Sequence, residues 1–223
     1  MKRYSEAFTV SIPVRQQTIQ GDLTIPNDAN AAVIFAHGSG SSRHSPRNRY
    51  VAEILNDGGL ATLLVDLLTE EEEAIDLRSR EYRFDIQLLA QRLVAAADWV
   101  RQNPKLSNLA IGFFGASTGA AAALVAATDK PLDIRAIVSR GGRPDLAGEY
   151  LDKVAAPVLL IVGGLDYEVI ELNRRAAALI RASTEIEIVA GATHLFEEPG
   201  ALERVASIAR GWFEKQLAGR PVA

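Results

Sequence analysis

The stretch Leu109-Ala-Ile-Gly-Phe-Phe-Gly115-Ala-Ser117-Thr-Gly119-Ala-Ala-Ala-Ala-Leu-Val-Ala-Ala127 decides the fold. An apolar run from Leu109 to Phe114 reads as a buried strand, and the Ala-rich segment from Ala120 to Ala127 reads as a helix. Between them lies Gly115-Ala116-Ser117-Thr118-Gly119. A serine on a very tight strand-to-helix turn needs small residues two positions either side, because the backbone folds back where a Cβ would collide. The turn lifts the hydroxyl out of the end of the sheet, and the helix behind it aims its first N–H groups at whatever the serine attacks. This is the form of a nucleophile elbow.

Two partners follow in order. Asp166 comes just after Pro157-Val-Leu-Leu-Ile-Val-Gly-Gly164, which reads as a fully buried strand. His194 lies in the loop Gly191-Ala-Thr-His-Leu-Phe196, after the strand-like Glu185-Ile-Glu-Ile-Val-Ala-Gly191. Serine, acid and histidine thus each sit beyond the carboxyl end of a strand, and in a parallel sheet those ends share one edge. Serine needs a base to take its proton. His194 is that base, and Asp166 holds its other ring nitrogen, with Glu168 as the alternative acid. Read structurally instead, Ser117 and Asp166 are helix caps and His194 is a hydrogen-bonded loop residue. The oxyanion donors expected are the N–H of Thr118 and that of Ser39 in His37-Gly38-Ser39-Gly40, with Gly40 as the alternative.

Outward from this core the chain alternates. Glu6–Pro13 and Gln17–Pro26 read as an antiparallel edge hairpin, and Ala31–Ala36 and Ala61–Leu68 as buried strands. Helices are expected at Asn48–Asn56, Arg83–Gln102, Glu168–Arg181 and Ala201–Leu217, with further strands at Ala136–Ser139 and Ile186–Ala190. Thr69-Glu70-Glu71-Glu72 fits a capping box, which accounts for the acidic run as a helix start. Strands alternating with helices argue for an α/β fold with a mostly parallel sheet covered on both faces. Residues 143–156 hold at most a short helix near Asp145–Lys153, so no separate lid is expected and the cleft is open or shallow.

Composition bounds the rest. The 223 residues suit one α/β domain spanning 1–223, with 48% apolar and 23% charged residues. A net charge of −4 argues against a nucleic-acid partner. With no cysteine there is no disulfide and no thiolate site, and no other ligand cluster suggests a metal or cofactor. The opening Met1-Lys-Arg-Tyr-Ser-Glu-Ala lacks the apolar core of a secretory signal, and no run is long enough to span a membrane, so cytoplasmic residence is expected.

Arg140 and Arg143 flank Gly141-Gly142 at the same sheet edge as the serine. Guanidinium groups there suit a substrate carboxylate or phosphate, or else an internal ion pair such as one with Asp145. Arg43 and Arg47 are similarly placed on the oxyanion side. His37, beside the glycine turn, either meets substrate or braces the oxyanion loop, and His44 reads as a surface residue.

Phe35-Ala-His-Gly-Ser-Gly40 and Gly191-Ala-Thr-His-Leu-Phe196, with the lidless outline, resemble the dienelactone hydrolase-like group of the α/β-hydrolase fold. The resemblance runs from about Ala31 to the last helix. It implies a three-layer fold and a Ser117–His194–Asp166 triad acting through an acyl-enzyme on an ester, lactone or thioester. The enzymes that give the group its name carry cysteine at the elbow; the serine here leaves the hydrolase class intact. Some relatives are joined to phosphoribosyltransferase domains, which implies a functional link to such a domain. A small peptidase or amidase with the same triad, and a non-catalytic binding module on the same fold, are the competing readings. Because the base must be neutral to act, hydrolysis is expected to fall as His194 is protonated and to be indifferent to chelators.

Overall fold

In the computed structural model the described residues are 5–217. Met1–Tyr4, part of the segment expected not to be a secretory signal, lie outside them, as do Ala218–Ala223. The strands are β1 (Ser5–Val14), β2 (Gln17–Pro26), β3 (Ala31–Ala36), β4 (Leu60–Val65), β5 (Ala110–Ala116), β6 (Ile134–Arg140), β7 (Val158–Gly163) and β8 (Thr184–Val189). The helices are α1 (Pro46–Asp57), α2 (Glu70–Ser79), α3 (Ile86–Gln102), α4 (Thr118–Ala126), α5 (Tyr167–Leu179) and α6 (Ala201–Leu217).

All eight strands form one sheet in the order β1-β2-β4-β3-β5-β6-β7-β8. The β1–β2 and β2–β4 pairs are antiparallel, and every pair from β4 across to β8 is parallel. The central strands β3, β4, β5 and β7 are buried at every position, which is why they read as continuous apolar runs rather than alternating ones. The side chains of the central strands, β6 included, divide by parity between two cores. Ile34, Phe113 and Ile137 pack with α3 and α4 on one face; Phe35, Phe114 and Val138 pack with α1 and α6 on the other. Phe35 and Phe114 stack at 4.7 Å between ring centroids, which locks β3 against β5 directly below the site.

Helix ends follow their capping chemistry. Ser45 caps α1 ahead of Pro46, and Thr69 and Glu72 form the reciprocal capping box expected for α2. The third helix starts at Ile86 rather than Arg83, for a physical reason. Asp76 accepts the backbone N–H groups of Tyr82 and Arg83 and the Arg83 Nε–H, which holds that segment as a turn, and Asp85 then caps α3. Residues Pro144–Lys153 form two short 3₁₀ turns broken at Gly148, so the segment after β6 makes no lid. No helix among the described residues is long and apolar enough to cross a membrane.

Candidate active site

Ser117 occupies the turn between β5 and α4 with φ 50° and ψ −121°, a conformation L-residues rarely adopt. The strain is held in place by close packing on both sides. A Cβ on Gly115 would lie 2.4 Å from Ala120 Cα, and one on Gly119 would lie 2.4 Å from the carbonyl oxygens of Ala36 and His37. Only glycine lets the start of α4 approach β3 and β5 this closely. Backbone bonds complete the turn: the Ser117 N–H donates to Arg140 O at 3.3 Å, and Ser117 O accepts from Arg143 at 3.1 Å. Although Ser117 stands at the N-cap position of α4, its hydroxyl makes no capping hydrogen bond. The side chain therefore remains available for another role.

Asp166 and His194 meet across the ends of β7 and β8. His194 Nδ1 and Asp166 Oδ2 are 2.6 Å apart. A carboxylate only accepts, so Nδ1 is a protonated nitrogen, and in the neutral imidazole this leaves the lone pair on Nε2. Asp166 also sits at a helix N-cap position without making a cap bond. Its carboxylate serves the histidine instead of α5, and Glu168 lies one residue into that helix. Two backbone bonds tie the loops together, Gly164 N–H to Val189 O at 2.8 Å and Leu165 N–H to Ala192 O at 2.9 Å. The histidine loop folds back through Phe196, a buried residue at φ 57°. It passes over the Gly141 turn: a Cβ on Gly141 would be 3.0 Å from His194 O and 3.7 Å from its ring Cε1. Since that turn is bonded to the Ser117 backbone, serine and imidazole share one floor. No direct Ser117–His194 hydrogen bond is formed among the described residues.

The oxyanion side differs in detail from the sequence expectation. The Ser39 N–H donates to Thr118 Oγ1 at 2.9 Å, so it is engaged rather than free. Gly40, the alternative, is turned by φ 69° and its missing Cβ faces Arg83 Nη1 at 3.5 Å. His37 corrects the idea of a substrate contact. Its Nε2 accepts the Leu67 N–H at 3.1 Å, which leaves Nδ1 to donate to Gly38 O at 2.9 Å. Both ring nitrogens are consumed in bracing the loop. Burial holds the imidazole below its ordinary pKa, against smaller opposing effects of Gly38 and Asp66, so it stays neutral.

The arginines separate equally clearly. Arg143 gives Nε and Nη2 to the two oxygens of Asp145, both at 2.8 Å, and this fork makes it a structural ion pair rather than a substrate ligand. Arg43 is held by Asp66 and Asp22. Arg140 is buried, and its Nε and Nη1 have no partner among the described residues. Exposed His44 lies beside Arg49 and Asp22, away from the serine. Asn173 was not anticipated from the sequence. Fully buried on α5, it donates from Nδ2 to Gly142 O at 3.0 Å and Val169 O at 2.8 Å, pinning the turn beneath His194. Its only sequence signal is one amide on the helix face shared with Val169, Ile170 and Ala176.

The sequence model of the dienelactone hydrolase family matches residues 19–217. A crystal structure of a dienelactone hydrolase from Anabaena variabilis is 57% identical with a TM-score of 0.93, covering 96% of this chain and 99% of that one. Est1E from Butyrivibrio proteoclasticus shares the fold at 18% identity, with a TM-score of 0.78 over 95% of this chain and 99% of that one. A Mycobacterium tuberculosis protein named a putative phosphoribosyl transferase is 56% identical over 217 residues, which is 97% of this chain and 47% of that protein. The chain thus spans about half the length of the curated relatives it matches. It belongs to the dienelactone hydrolase family, and with it to the hydrolases that act on ester bonds.

Proposed function

We propose that this chain, as one α/β-hydrolase domain, cleaves a carboxylic ester, lactone or thioester through an acyl-enzyme on Ser117. The observation that carries the reading is the 2.6 Å Asp166–His194 pair, with His194 set over the Gly141 turn whose flanking residues are hydrogen-bonded to the backbone of Ser117, itself held at φ 50°. Ser117 Oγ attacks the carbonyl carbon while His194 Nε2 takes its proton, and Asp166 stabilises the imidazolium through Nδ1–H. The carbonyl oxygen gains negative charge and is received by the N–H of Thr118, the first residue of α4, together with the Ser39 N–H. The latter exchanges Thr118 Oγ1 for the oxyanion. Losing one such donor raises a barrier by about 3 kcal/mol, so the exchange matters to rate. His194 then returns the proton to the leaving group, and water repeats the sequence to release the acid.

A functional link with a phosphoribosyltransferase unit belongs to the same proposal, because relatives 56% identical carry that name and are about twice as long. The test is intact-mass analysis after treatment with a fluorophosphonate, comparing the wild type with Ser117→Ala. One adduct, absent from the variant, is the expected result. A folded wild-type protein that takes no adduct refutes the mechanism, as does an adduct that survives the substitution.

A further inference from the structure

The side chain of His194 is 39% exposed, and the bond to Asp166 is the one its ring makes among the described residues. A single bond at Nδ1 orients the ring only as well as the backbone beneath it is held. That backbone is a sharp reversal. The Phe196 N–H donates to Thr193 O at 3.3 Å, and Phe196 itself takes φ 57°, a conformation that L-residues rarely adopt. Something beyond these two features must keep the turn closed. One side of it is seated on the sheet: a Cβ on Gly163, the last residue of β7, would lie 2.5 Å from both Ala192 O and Thr193 O.

Glu198 holds the other side. Its Oε1 accepts the Thr193 hydroxyl at 2.5 Å, a side-chain bond that spans the turn from the residue before His194 to the second after Phe196. Glu198 O accepts the Ala201 N–H at 3.0 Å, which ties this strut to the start of α6. Its Oε2 is buried and has no hydrogen-bond partner among the described residues. A carboxylate turned inward this way gives up water and needs compensation. The Thr193 hydroxyl, and after it the N–H groups of Glu198 and Thr193, supply it and hold the carboxyl below the usual carboxylate range. Adjacent Glu197 is placed differently. It accepts from Arg47 Nη1 at 2.8 Å, but its side chain is 64% exposed, and surface pairs of this kind contribute little.

We propose that Glu198 is a positioning residue for His194, acting through the Thr193 hydroxyl to fix the turn that directs Nε2 toward Ser117. Its effect on rate rests on the acyl-enzyme reading, whereas the clamp stands on the contacts of the loop itself. Glu198 exchanges no proton with the substrate in this role. It matters in acylation and in deacylation alike, since His194 is the base in both.

Two readouts test it: the rate of fluorophosphonate labelling at Ser117, and hydrogen exchange at the Phe196 amide. Glu198→Ala and Thr193→Val are each expected to slow labelling about 10- to 100-fold, the loss that a displacement near 1 Å brings. The double variant should be no slower than either single one, because the two ends of one bond are lost only once. Rescue separates the bond from the charge. Thr193→Ser keeps the hydroxyl and Glu198→Gln keeps an acceptor oxygen, so both should label within about threefold of wild type. Glu197→Ala removes the same charge one residue away and should label at the wild-type rate. Labelling of Glu198→Ala within about twofold of wild type, losses that multiply in the double variant, or Glu198→Gln as slow as Glu198→Ala overturns the proposal. If Glu198→Ala does not fold, Thr193→Val, close in shape to the residue it replaces, carries the same comparison. A wild type that takes no adduct removes the acyl-enzyme reading instead, and exchange then decides the clamp. Phe196 exchange about tenfold faster in Glu198→Ala and Thr193→Val, but not in Glu197→Ala, supports it; equal exchange in all four proteins overturns it.

Discussion

Replacing Gly119 by alanine tests whether the elbow's backbone packing positions the reaction. The added Cβ would lie 2.4 Å from both Ala36 O and His37 O and 2.8 Å from Ala36 C, where ordinary contact begins at 3.4 Å. About 1 Å of movement is therefore needed. Ala36 cannot supply it, because it is paired in the sheet with Val65 on one side and Gly115 on the other. His37 is held by its ring bonds to Leu67 and Gly38. The start of α4 must retreat instead, carrying the Thr118 N–H and the serine away from where a carbonyl would sit. Overpacking of this kind costs about 1–3 kcal/mol. For a domain of this size that corresponds to a melting temperature lower by about 2–12 °C. A displacement near 1 Å in a reacting constellation costs about 100-fold in rate. Differential scanning fluorimetry and the rate of fluorophosphonate labelling give the two numbers. Gly211→Ala is the matched control: nothing lies within 4 Å of its added Cβ, and in the middle of α6 the change should stabilise by about 0.5–1 kcal/mol. A Gly119→Ala protein that melts within about 1 °C of wild type and labels at the wild-type rate would refute the reasoning.

Further substitutions probe the surrounding framework. Asp166→Asn keeps the size of the side chain but favours the wrong imidazole tautomer, so kcat should fall about 10⁴-fold with little change in melting temperature; a loss under about tenfold would show that Asp166 does not orient His194. His37 has its folded pKa depressed below 6.5, so between those two values the unfolded chain binds the extra proton. Stability should therefore drop as pH falls below about 6.5, by up to about 1.4 kcal/mol per pH unit until the folded pKa is reached. Urea denaturation at pH 7 and pH 5 should show a flatter dependence in His37→Gln than in wild type, and equal slopes would contradict the buried neutral imidazole. Asn173→Leu strips the donor from Gly142 O and should cost about 1–3 kcal/mol. It should also slow labelling of Ser117, since the Gly142 turn lies beneath His194; stability loss without slower labelling would assign Asn173 to folding alone.

Much of this architecture was legible from the chain itself. Short continuous apolar runs rich in β-branched residues and bounded by turn residues, such as Ala31–Ala36 and Pro157–Gly163, read as strands covered on both faces, and the glycines around Ser117 announce a turn too tight for any Cβ. Order along the chain then placed Asp166 and His194 at the same sheet edge, because parallel strands end together. Local capping chemistry, as at Thr69 and Glu72, was equally readable. What the sequence could not decide is how each polar group is satisfied, since hydrogen-bond partners are set by contacts between residues far apart in the chain. Arg140 and Arg143 look alike three residues apart, yet Asp145 lies within reach of one and strand parity turns the other toward Arg47. The Ser39 N–H meets Thr118 Oγ1 from a residue 79 positions away, and Asn173 reaches Gly142 across 31. Periodicity and motif order report which faces are buried, and only tertiary packing decides which buried donor finds a partner.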